Sequence, residues 1–366
     1  MGKKLRGGYT TGACAAAALK AALLFLQGEY CREVQLRALD GTLLRIPVQE
    51  VQRTMDGAQA EIIKDSGDDP DITNGVSVYT RVRILSKGQG IKIRAGAGIG
   101  RVTKPGLSVP PGEPAINPGP RKLMANVVRE LLGEGGSCEV MVSVPAGREL
   151  AARTLNPVLG ITGGISIIGT TGVLRPMSEG GFKNSLVPQI DVAVAAGFSS
   201  LIFVPGKIGE DIAIQWGLPK EAIVQTSNFI GFMLEAAAER GVRKVLLFGH
   251  IGKLIKVAAG IFYTHNRIAD GRLETLAAYA AAEGLPADGV QEVLAAATTE
   301  AALPVLERYG LQAVYARLAA RASLRMERYV FQKLQTGTVM VTLQGKILGL
   351  DTAAREIGGE FHWHIK

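Results

Sequence analysis

The 366-residue chain has few cysteines, few aromatic residues and no long apolar run. Cys14, Cys31 and Cys138 lie far apart and form no CxxC pair. This spacing excludes a disulfide scaffold or a zinc ribbon, and it favours a reducing, cytoplasmic location. The longest apolar run, residues 13–26, contains Lys20 and is shorter than the roughly 20 residues that span a bilayer. We therefore expect neither a membrane span nor a signal peptide.

Several catalytic motifs are also missing. The chain has no complete GxGxxG, no Walker lysine pattern and no acidic residue directly after the strand predicted at 201–204. An ordinary dinucleotide site or a P-loop nucleotidase is therefore disfavoured. The absence of GxSxG excludes a nucleophile elbow. Of the four histidines, His362 and His364 alternate near the C-terminus, where a solvated tail is favoured over a metal clip. We expect no protein metal site.

Glycine and basic residues are what the chain does have, with 46 glycines and a net charge of +8. Most of this charge falls in one window, residues 83–122, where eight basic residues face a single acidic one, Glu113, a net of +7. The basic residues of this window are Arg83, Lys87, Lys92, Arg94, Arg101, Lys104, Arg121 and Lys122. Glycine-spaced guanidinium and ammonium groups suit a ligand with several carboxylates or phosphates. A plain solvated face is the alternative.

The pattern of elements predicts an α/β + α+β protein. An Ala/Leu-rich helix is predicted at 13–27 and a hairpin at 33–48 around Asp40-Gly41-Thr42, because glycine tolerates the positive φ of such turns. Pro105 to Pro120 carries six prolines, which excludes regular structure and favours a functional loop. Beyond residue 148, strands predicted at 165–168, 201–204, 222–225 and 244–248 alternate with helices, one of them predicted at 229–240. This alternation is typical of βαβ units of a parallel sheet.

These patterns predict three parts. Residues 1–147 form a mixed α+β sandwich domain with the basic glycine-rich and proline-rich loops, and they are expected to bind the substrate. Residues 148–335 form a Rossmann-like parallel-sheet domain with a helical C-terminal part, and they are expected to bind the cofactor. Residues 336–366 form a terminal hairpin that can return to pack on the first domain.

Glycine-bearing turns follow three predicted parallel strands, at Gly169-Thr170-Thr171-Gly172, Pro205-Gly206 and Gly249-His250-Ile251-Gly252. Ligands of open α/β sheets bind at the carboxyl ends of the strands, where helix N-termini offer free N–H groups. An adenosyl cofactor suits such a crevice, although each glycine could simply close its turn. His250 is the best placed histidine for a polar contact to a ligand.

Aspartates cluster between residues 65 and 71. Ordinary turn chemistry explains the cluster better than an oxygen-ligand metal site does, because the spacing is not that of an EF-hand. Asp71 is the carboxylate expected to face a ligand.

Several segments, taken in order, resemble those of one family: Gly8-Tyr9-Thr10-Thr11-Gly12-Ala13-Cys14, Asp69-Pro70-Asp71-Ile72-Thr73-Asn74-Gly75, residues 98–107, Gly112-Glu113-Pro114-Ala115-Ile116-Asn117-Pro118, residues 164–172 and residues 249–256. The chain resembles the cobalt-precorrin-5B (C1)-methyltransferases, the CbiD family of anaerobic cobalamin (vitamin B12) biosynthesis. The resemblance runs from residue 8 to about 275.

The resemblance implies transfer of a methyl group from S-adenosylmethionine to C-1 of a cobalt-bearing, ring-contracted corrin precursor. Such a polycarboxylate substrate explains a basic, glycine-rich surface with few aromatic residues. Its cobalt arrives with it, so no protein metal site is needed. Methyl transfer depends mostly on alignment and desolvation, and no activated nucleophile is required.

We therefore assign roles to three sets of residues. His250 and Asp71 are the catalytic candidates. The cofactor-binding candidates are Gly169, Thr170, Thr171, Gly172, Gly249, His250 and Gly252. The substrate-binding candidates are Thr10, Thr11, Arg94, Arg101 and Lys104, with the N-terminus of the first helix assisting.

Two alternatives stay open at this point. The basic window could belong to a non-catalytic nucleic-acid-binding protein, against which the few aromatic residues count. A kinase-like nucleotide enzyme could use the glycine turns, but the phosphate-loop lysine is missing. The favoured interpretation has a small-molecule partner, no nucleic acid and no membrane, and it is compatible with a homo-oligomer.

Overall fold

The computed structural model describes residues 5–176 and 178–363, so His364, one of the two histidines expected in a solvated tail, lies outside the described residues. The chain divides into two compact units, Met1–Glu179 and Gly180–Lys366. This division falls later than the domain boundary predicted after residue 147. The segment around residues 160–174 is therefore part of the first unit.

The first unit begins with a buried helix and is otherwise mostly strand. Its elements are β1 (Gly8–Tyr9), α1 (Thr11–Leu26), β2 (Glu33–Arg37), β3 (Leu43–Pro47), β4 (Glu50–Thr54), β5 (Gly57–Ile63), β6 (Ser77–Ile84), β7 (Ile91–Ala95), β8 (Arg101–Val102), α2 (Pro118–Leu132), β9 (Cys138–Ser143), α3 (Gly147–Ala151), β10 (Ile161–Thr162) and β11 (Val173–Leu174).

The central sheet of this unit has the strand order β4-β5-β6-β9-β7, in which only the β7–β9 pair is parallel. Helix α1 packs on β5 and β6. Residues 15–18 of α1 are all alanine and fully buried, because the missing bulk lets the helix approach the sheet closely. Thr80 of β6 donates from Oγ1 to the Ala15 carbonyl at 3.0 Å. This helix and sheet form the core of the unit.

The strand predicted at 165–168 is not a strand of a parallel sheet. Instead, Ile165 bridges Ile99 and Ile167 bridges Ile116, and β10 pairs with β8. The physical reason is glycine: a Cβ on Gly164 would lie 2.1 Å from the Gly98 carbonyl oxygen. Without side chains at Gly98 and Gly164, the two segments interlock backbone to backbone.

The second unit alternates strands with helices and then becomes helical. Its elements are α4 (Glu179–Leu186), α5 (Pro188–Ala195), β12 (Ser200–Val204), α6 (Lys207–Gln215), β13 (Ile223–Gln225), α7 (Ile230–Glu239), β14 (Lys244–His250), α8 (Ile251–Ala258), α9 (Arg272–Ala282), α10 (Ala287–Ala295), α11 (Thr299–Arg308), α12 (Ala313–Tyr329), β15 (Gln335–Val341), β16 (Ile347–Leu350) and α13 (Thr352–Glu360).

The sheet of this unit has the order β13-β12-β14-β15-β16, and all its neighbouring strands are parallel except β15 and β16. The strands of the predicted terminal hairpin are thus integral to this sheet, because β15 pairs with β14 along its whole length. Helix α13, which the sequence analysis missed, packs against β15. The chain as a whole is mixed α/β, with sheets of mixed strand orientation and a helical segment late in the chain.

Across residues 5–176 and 178–363, no helix combines the length and apolarity that crossing a bilayer requires. The same part of the chain contains no cluster of three or more histidine, cysteine, aspartate or glutamate side chains arranged to hold a metal ion.

Candidate functional site

The strand order of the second unit defines a crevice. From β12 the chain moves outward to β13, and it then crosses β12 to form β14 on the other side. The connections leaving β12 and β14 therefore diverge, which opens a crevice at the carboxyl ends of these two strands. Pro205 and Gly206 follow β12, and Gly249 and His250 end β14.

The floor of this crevice is closely packed. A Cβ on Gly249 would lie 2.9 Å from Cδ of Pro205, whereas one on Gly206 would meet nothing within 4 Å. Lys253 of α8 donates from Nζ to the Pro205 carbonyl at 3.0 Å, and burial lowers the pKa of this lysine. The two strand ends are thus fastened together, with open space in front of Gly206.

His250 lies in this crevice as the N-cap of α8. Its Nδ1 accepts a hydrogen bond from the Gly252 amide at 3.2 Å, and burial lowers the pKa of the imidazole. A neutral ring whose Nδ1 accepts must carry its proton on Nε2. The Nε2 atom is buried, and the polar group that it faces is the carboxylate of Glu300. His250 therefore directs its N–H donor toward this carboxylate.

Two glutamates at the same sheet edge were missed by the sequence analysis. Glu300 places Oε1 3.5 Å from Nε2 of His250 and accepts from the Leu343 amide at 2.6 Å, beside a cavity of about 520 Å³. Glu210 is nearly fully buried and accepts from Nε2 of Gln225 at 2.6 Å. Glu210 follows Pro205-Gly206 closely and could have been found by reading further into α6. Glu300 lies far from His250 in sequence and gave no signal.

The structure places Gly169, Thr170, Thr171 and Gly172 elsewhere, in the first unit. They were predicted to end a strand of the parallel sheet, and this prediction is wrong: the Gly172 carbonyl accepts from the Thr10 amide at 2.9 Å and the Thr171 carbonyl accepts from the Leu39 amide at 2.7 Å. Gly169 has a φ of +135°, and a Cβ there would lie 2.3 Å from Oγ1 of Thr10. The loop covers the start of α1.

Thr10 and Thr11 are buried at this contact. Thr10 caps α1 by accepting from the Ala13 amide at 3.2 Å, and the Oγ1 of Thr11 accepts from the Ile168 amide at 3.0 Å. The Gly12 amide donates to the Ile168 carbonyl at 3.0 Å. The hydroxyls and amides at the start of α1 are thus engaged within the first unit, whereas the sequence analysis expected them to face a ligand.

The basic candidates have different surroundings. Arg94 is 60% exposed on the outer face of the sheet, with Nε 3.6 Å from Oε2 of Glu139. Arg101 donates from its guanidinium to the Gly112 carbonyl, while the stem of Lys104 lies against Gly160. Arg101 therefore helps to hold the proline-rich loop.

A second guanidinium holds the same loop. Arg121 donates from Nε to the Ile116 carbonyl at 2.8 Å. Prolines leave backbone carbonyls without the amide partners of regular structure, and these two arginines supply donors instead. Part of the basic window is therefore structural.

Asp71 is held by neighbours in the first unit. Its Oδ2 accepts from Nζ of Lys64 at 2.8 Å, and its Oδ1 accepts from the amide and hydroxyl of Thr73 at 2.8 and 2.7 Å. Burial raises the pKa of Asp71, but the hydrogen bonds from Lys64 and Thr73 outweigh burial and hold it below its usual value. The Lys64 side chain is only 1% exposed. The ion pair of Lys64 and Asp71 is therefore a structural anchor inside the first unit.

Comparison with known proteins gives consistent matches along the chain. The family model described as CbiD matches residues 1–176, and the model described as CbiD, C-terminal domain, matches residues 263–352. A crystal structure described as a cobalamin biosynthesis protein (cbiD) from Archaeoglobus fulgidus aligns with 70% of this chain and 80% of that chain, at 26% identity and a TM-score of 0.38.

Curated relatives match over nearly the full length. A protein of Moorella thermoacetica is 51% identical over 364 residues, which is 99% of this chain and 99% of that protein. A Desulfitobacterium hafniense protein is 49% identical and covers 98% of this chain and 92% of its own length. Both are named cobalt-precorrin-5B C(1)-methyltransferase. Because such identity extends over both units, this chain belongs to the CbiD family.

Proposed function

We propose that this chain transfers a methyl group from S-adenosylmethionine to C-1 of cobalt-precorrin-5B, giving cobalt-precorrin-6A in anaerobic cobalamin biosynthesis. The observation that carries the proposal is the 51% identity, over 99% of both chains, to a protein named for the C(1) methyl transfer. Identity at this level across both units favours a shared reaction as well as a shared fold.

The second unit offers a fitting place for the methyl donor. The imidazole of His250 and the open space before Gly206 both lie at the strand ends where ligands of such sheets bind. Glu300 supplies a carboxylate beside His250 that can accept from ribose hydroxyls. S-adenosylmethionine, when bound, supplies a methyl group activated by its sulfonium charge. The part of Gly169, Thr170, Thr171 and Gly172 in donor binding stays a prediction.

The first unit offers basic groups for the carboxylates of the tetrapyrrole. Arg94 is largely exposed, and Arg101 and Lys104 flank the proline-rich loop. Because guanidinium groups pair carboxylates with well-defined geometry, these residues suit a substrate with several acetate and propionate arms. The assignment of Thr10 and Thr11 to substrate binding stays a prediction. Their burial and their hydrogen bonds within the first unit argue against it.

The residues at the crevice act by binding and orientation. With its proton on Nε2, the neutral ring of His250 donates a hydrogen bond from this nitrogen and cannot take up a proton there. It can therefore hold a hydrogen-bond acceptor of S-adenosylmethionine in place. Lys253 fixes the loop that carries Gly206, and Glu300 orients the ring of His250 from the other side. Alignment of reacting groups in a water-poor crevice lowers the barrier of a displacement reaction.

The decisive experiment is mass spectrometry of cobalt-precorrin-5B incubated with the protein and S-adenosylmethionine. We expect one added methyl group, and one trideuteromethyl group when the donor is labelled there. Omission of the donor is the control. A folded protein that leaves the tetrapyrrole mass unchanged would refute the proposal.

Calorimetry separates this proposal from the two alternatives. S-adenosylhomocysteine, ATP and a short DNA duplex are titrated into the protein in turn. We expect heat only with S-adenosylhomocysteine, whereas salt-sensitive binding of the duplex would favour a nucleic-acid role. The absence of a nucleic-acid partner, the cytoplasmic location and the homo-oligomer stay predictions.

A further inference from the structure

Aromatic side chains make up only 5% of this chain, yet several of them gather around one lysine of the second unit. The Nζ atom of Lys183 lies 5.0 Å from the ring centre of Phe229, 6.0 Å from that of Phe232 and 5.7 Å from that of Tyr263. The three rings Phe229, Phe232 and Tyr263 thus form a cage around a cation. We call them the aromatic cage.

The aromatic cage lies at the carboxyl edge of the sheet. The amide of Thr226, directly after β13, donates to the Val204 carbonyl at the end of β12 at 2.9 Å. Phe229 follows only three residues later. Ser227 between them has a φ of +53°, a conformation that few non-glycine residues adopt. The cage therefore adjoins the carboxyl end of β12, which Pro205 and Gly206 follow.

The segment that carries Tyr263 is rigidly held. Lys256 of α8 is fully buried and donates from Nζ to the carbonyls of Thr264 at 3.2 Å and Ala269 at 2.9 Å, and to Oδ1 of Asn266 at 2.7 Å. The Thr264 amide also donates to the Asn228 carbonyl, next to Phe229, at 2.9 Å. These bonds hold the backbone segments that carry Tyr263 and Phe229 next to each other.

Two rings of the aromatic cage, Phe232 and Tyr263, are only partly buried. Phe232 also lines an open cavity of about 440 Å³ that includes Glu235 and Asn184, and Phe182, 51% exposed, packs edge-on to Phe229 with ring centres 5.8 Å apart. The site is therefore partly covered but not sealed.

Aromatic faces attract cations, and the attraction is strongest for cations that give up little hydration. A lysine ammonium is compact and strongly hydrated, so it is a weak occupant of a cage. A sulfonium carries its charge among carbon substituents and has no hydrogen to donate to water. We propose that the aromatic cage binds the sulfonium of the methyl donor, and that the ammonium of Lys183 occupies the cage until the donor replaces it. This inference rests on the proposed function.

The test compares two ligands that differ by this charge. S-adenosylmethionine carries the sulfonium, whereas S-adenosylhomocysteine has a neutral sulfur. Calorimetry measures both affinities for the unmodified protein and for Phe229→Leu, Phe232→Leu and Tyr263→Leu. We expect each variant to lose about tenfold in affinity for S-adenosylmethionine and to keep its affinity for S-adenosylhomocysteine within about twofold.

The matched control is Phe262→Leu. Phe262 neighbours Tyr263 in the chain but stacks on Tyr329, with ring centres 4.1 Å apart, so its loss disturbs the same segment without removing a cage ring. We expect its ratio of the two affinities to equal that of the unmodified protein. If thermal melting shows that the buried ring of Phe229 is necessary for folding, the Tyr263→Leu variant carries the test, because Tyr263 is only half-buried.

Lys183→Gln gives a second, opposite readout. Because it removes the competing ammonium, we expect tighter binding of S-adenosylmethionine and an unchanged affinity for S-adenosylhomocysteine. Equal losses for both ligands in the cage variants, or no loss at all, would overturn the cage. A folded protein that binds neither ligand would overturn the proposed function itself.

Discussion

The imidazole of His250 serves the helix and the crevice at once. Nδ1 caps α8, so the proton of the neutral ring is on Nε2, which faces Glu300. Asp71 differs from His250, because both of its carboxylate oxygens accept hydrogen bonds within the first unit. At the residue scale, the contacts made inside the protein define what each polar group can offer to a ligand.

His250→Ala should lower the free energy of unfolding by about 1 kcal/mol, because α8 loses its cap. His250→Asn keeps an acceptor at this position and should recover most of the loss. Urea denaturation of both variants and the unmodified protein measures the difference. Equal destabilisation by alanine and asparagine would show that the cap contributes nothing.

The stability contribution of His250 should depend on pH. Burial holds its pKa below the ordinary 6.5, so the unfolded chain takes up a proton at higher pH than the folded chain does. The contribution is therefore complete above about pH 6.5 and is lost progressively as the pH falls below this value. Urea denaturation from pH 8 to pH 5 should show this loss in the unmodified protein and not in His250→Asn.

Lys64→Met should destabilise the first unit by about 2 kcal/mol, since it leaves the partly buried Asp71 carboxylate unpaired. The pKa of Asp71 is held below its ordinary 3.8, so its contribution is present above that pH and is lost as the pH falls through the folded value. The difference between the variant and the unmodified protein should therefore shrink in acid, as measured by urea denaturation.

Asp71→Asn distinguishes the anchor from a catalytic group. We expect a loss of stability, with methyl transfer per folded molecule reduced only modestly. An Asp71→Asn protein that unfolds like the unmodified one but no longer transfers methyl groups would support the catalytic role instead.

At the scale of elements, local sequence patterns predicted the helices well, but they predicted poorly which elements pack against one another. The helix predicted at 13–27 is found at Thr11–Leu26 and the helix predicted at 229–240 at Ile230–Glu239. Helix α13 was missed because residues 336–366 were interpreted as a terminal hairpin, and its Gly358-Gly359 pair has a weak helix propensity. In the structure, packing on β15 overrides that weak propensity.

Alanine substitutions at Gly358 and Gly359 should have opposite effects on the stability of the protein. A Cβ on Gly359 would meet nothing within 4 Å, whereas one on Gly358 would lie 2.4 Å from the ring of Trp363. Gly359→Ala should therefore stabilise the protein by about 0.5–1 kcal/mol, as alanine favours a helix interior. Gly358→Ala should destabilise it. Thermal unfolding of the two variants provides the measurement, and a shift in the same direction for both would contradict the packing of α13.

At the scale of the whole molecule, charge and topology separate two tasks. The excess positive charge lies in residues 83–122, in the first unit, while the switch in strand order lies in the second. We expect the KM for the tetrapyrrole to rise several-fold as salt screens the basic groups, and the KM for the methyl donor to change little. Steady-state kinetics at low and high salt measures both constants.

Lys104→Ala should raise the KM for the tetrapyrrole in the same selective way. Its matched control is Lys220→Ala, which removes one exposed positive charge from the second unit, ahead of β13. An equal effect of the two variants would mean that the net charge matters and the basic window does not.

The sequence by itself determined the order of most elements and the family. Both depend on short segments: the hairpin of β2 and β3 needs only Gly41, with its φ of +88°, and the Asp40 side chain that accepts from the Thr42 amide at 3.1 Å. The motif strings likewise identify the family without any knowledge of contacts.

Only the tertiary structure decided which segments meet. Residues 164–172 join the first unit because Gly98 and Gly164 allow two backbones to interlock, and β15 enters the parallel sheet beside β14. The approach of Glu300 to His250, and of Tyr263 to Lys183, joins residues far apart in the chain. Such pairings depend on shape and burial across the folded unit, which no local pattern of residues encodes.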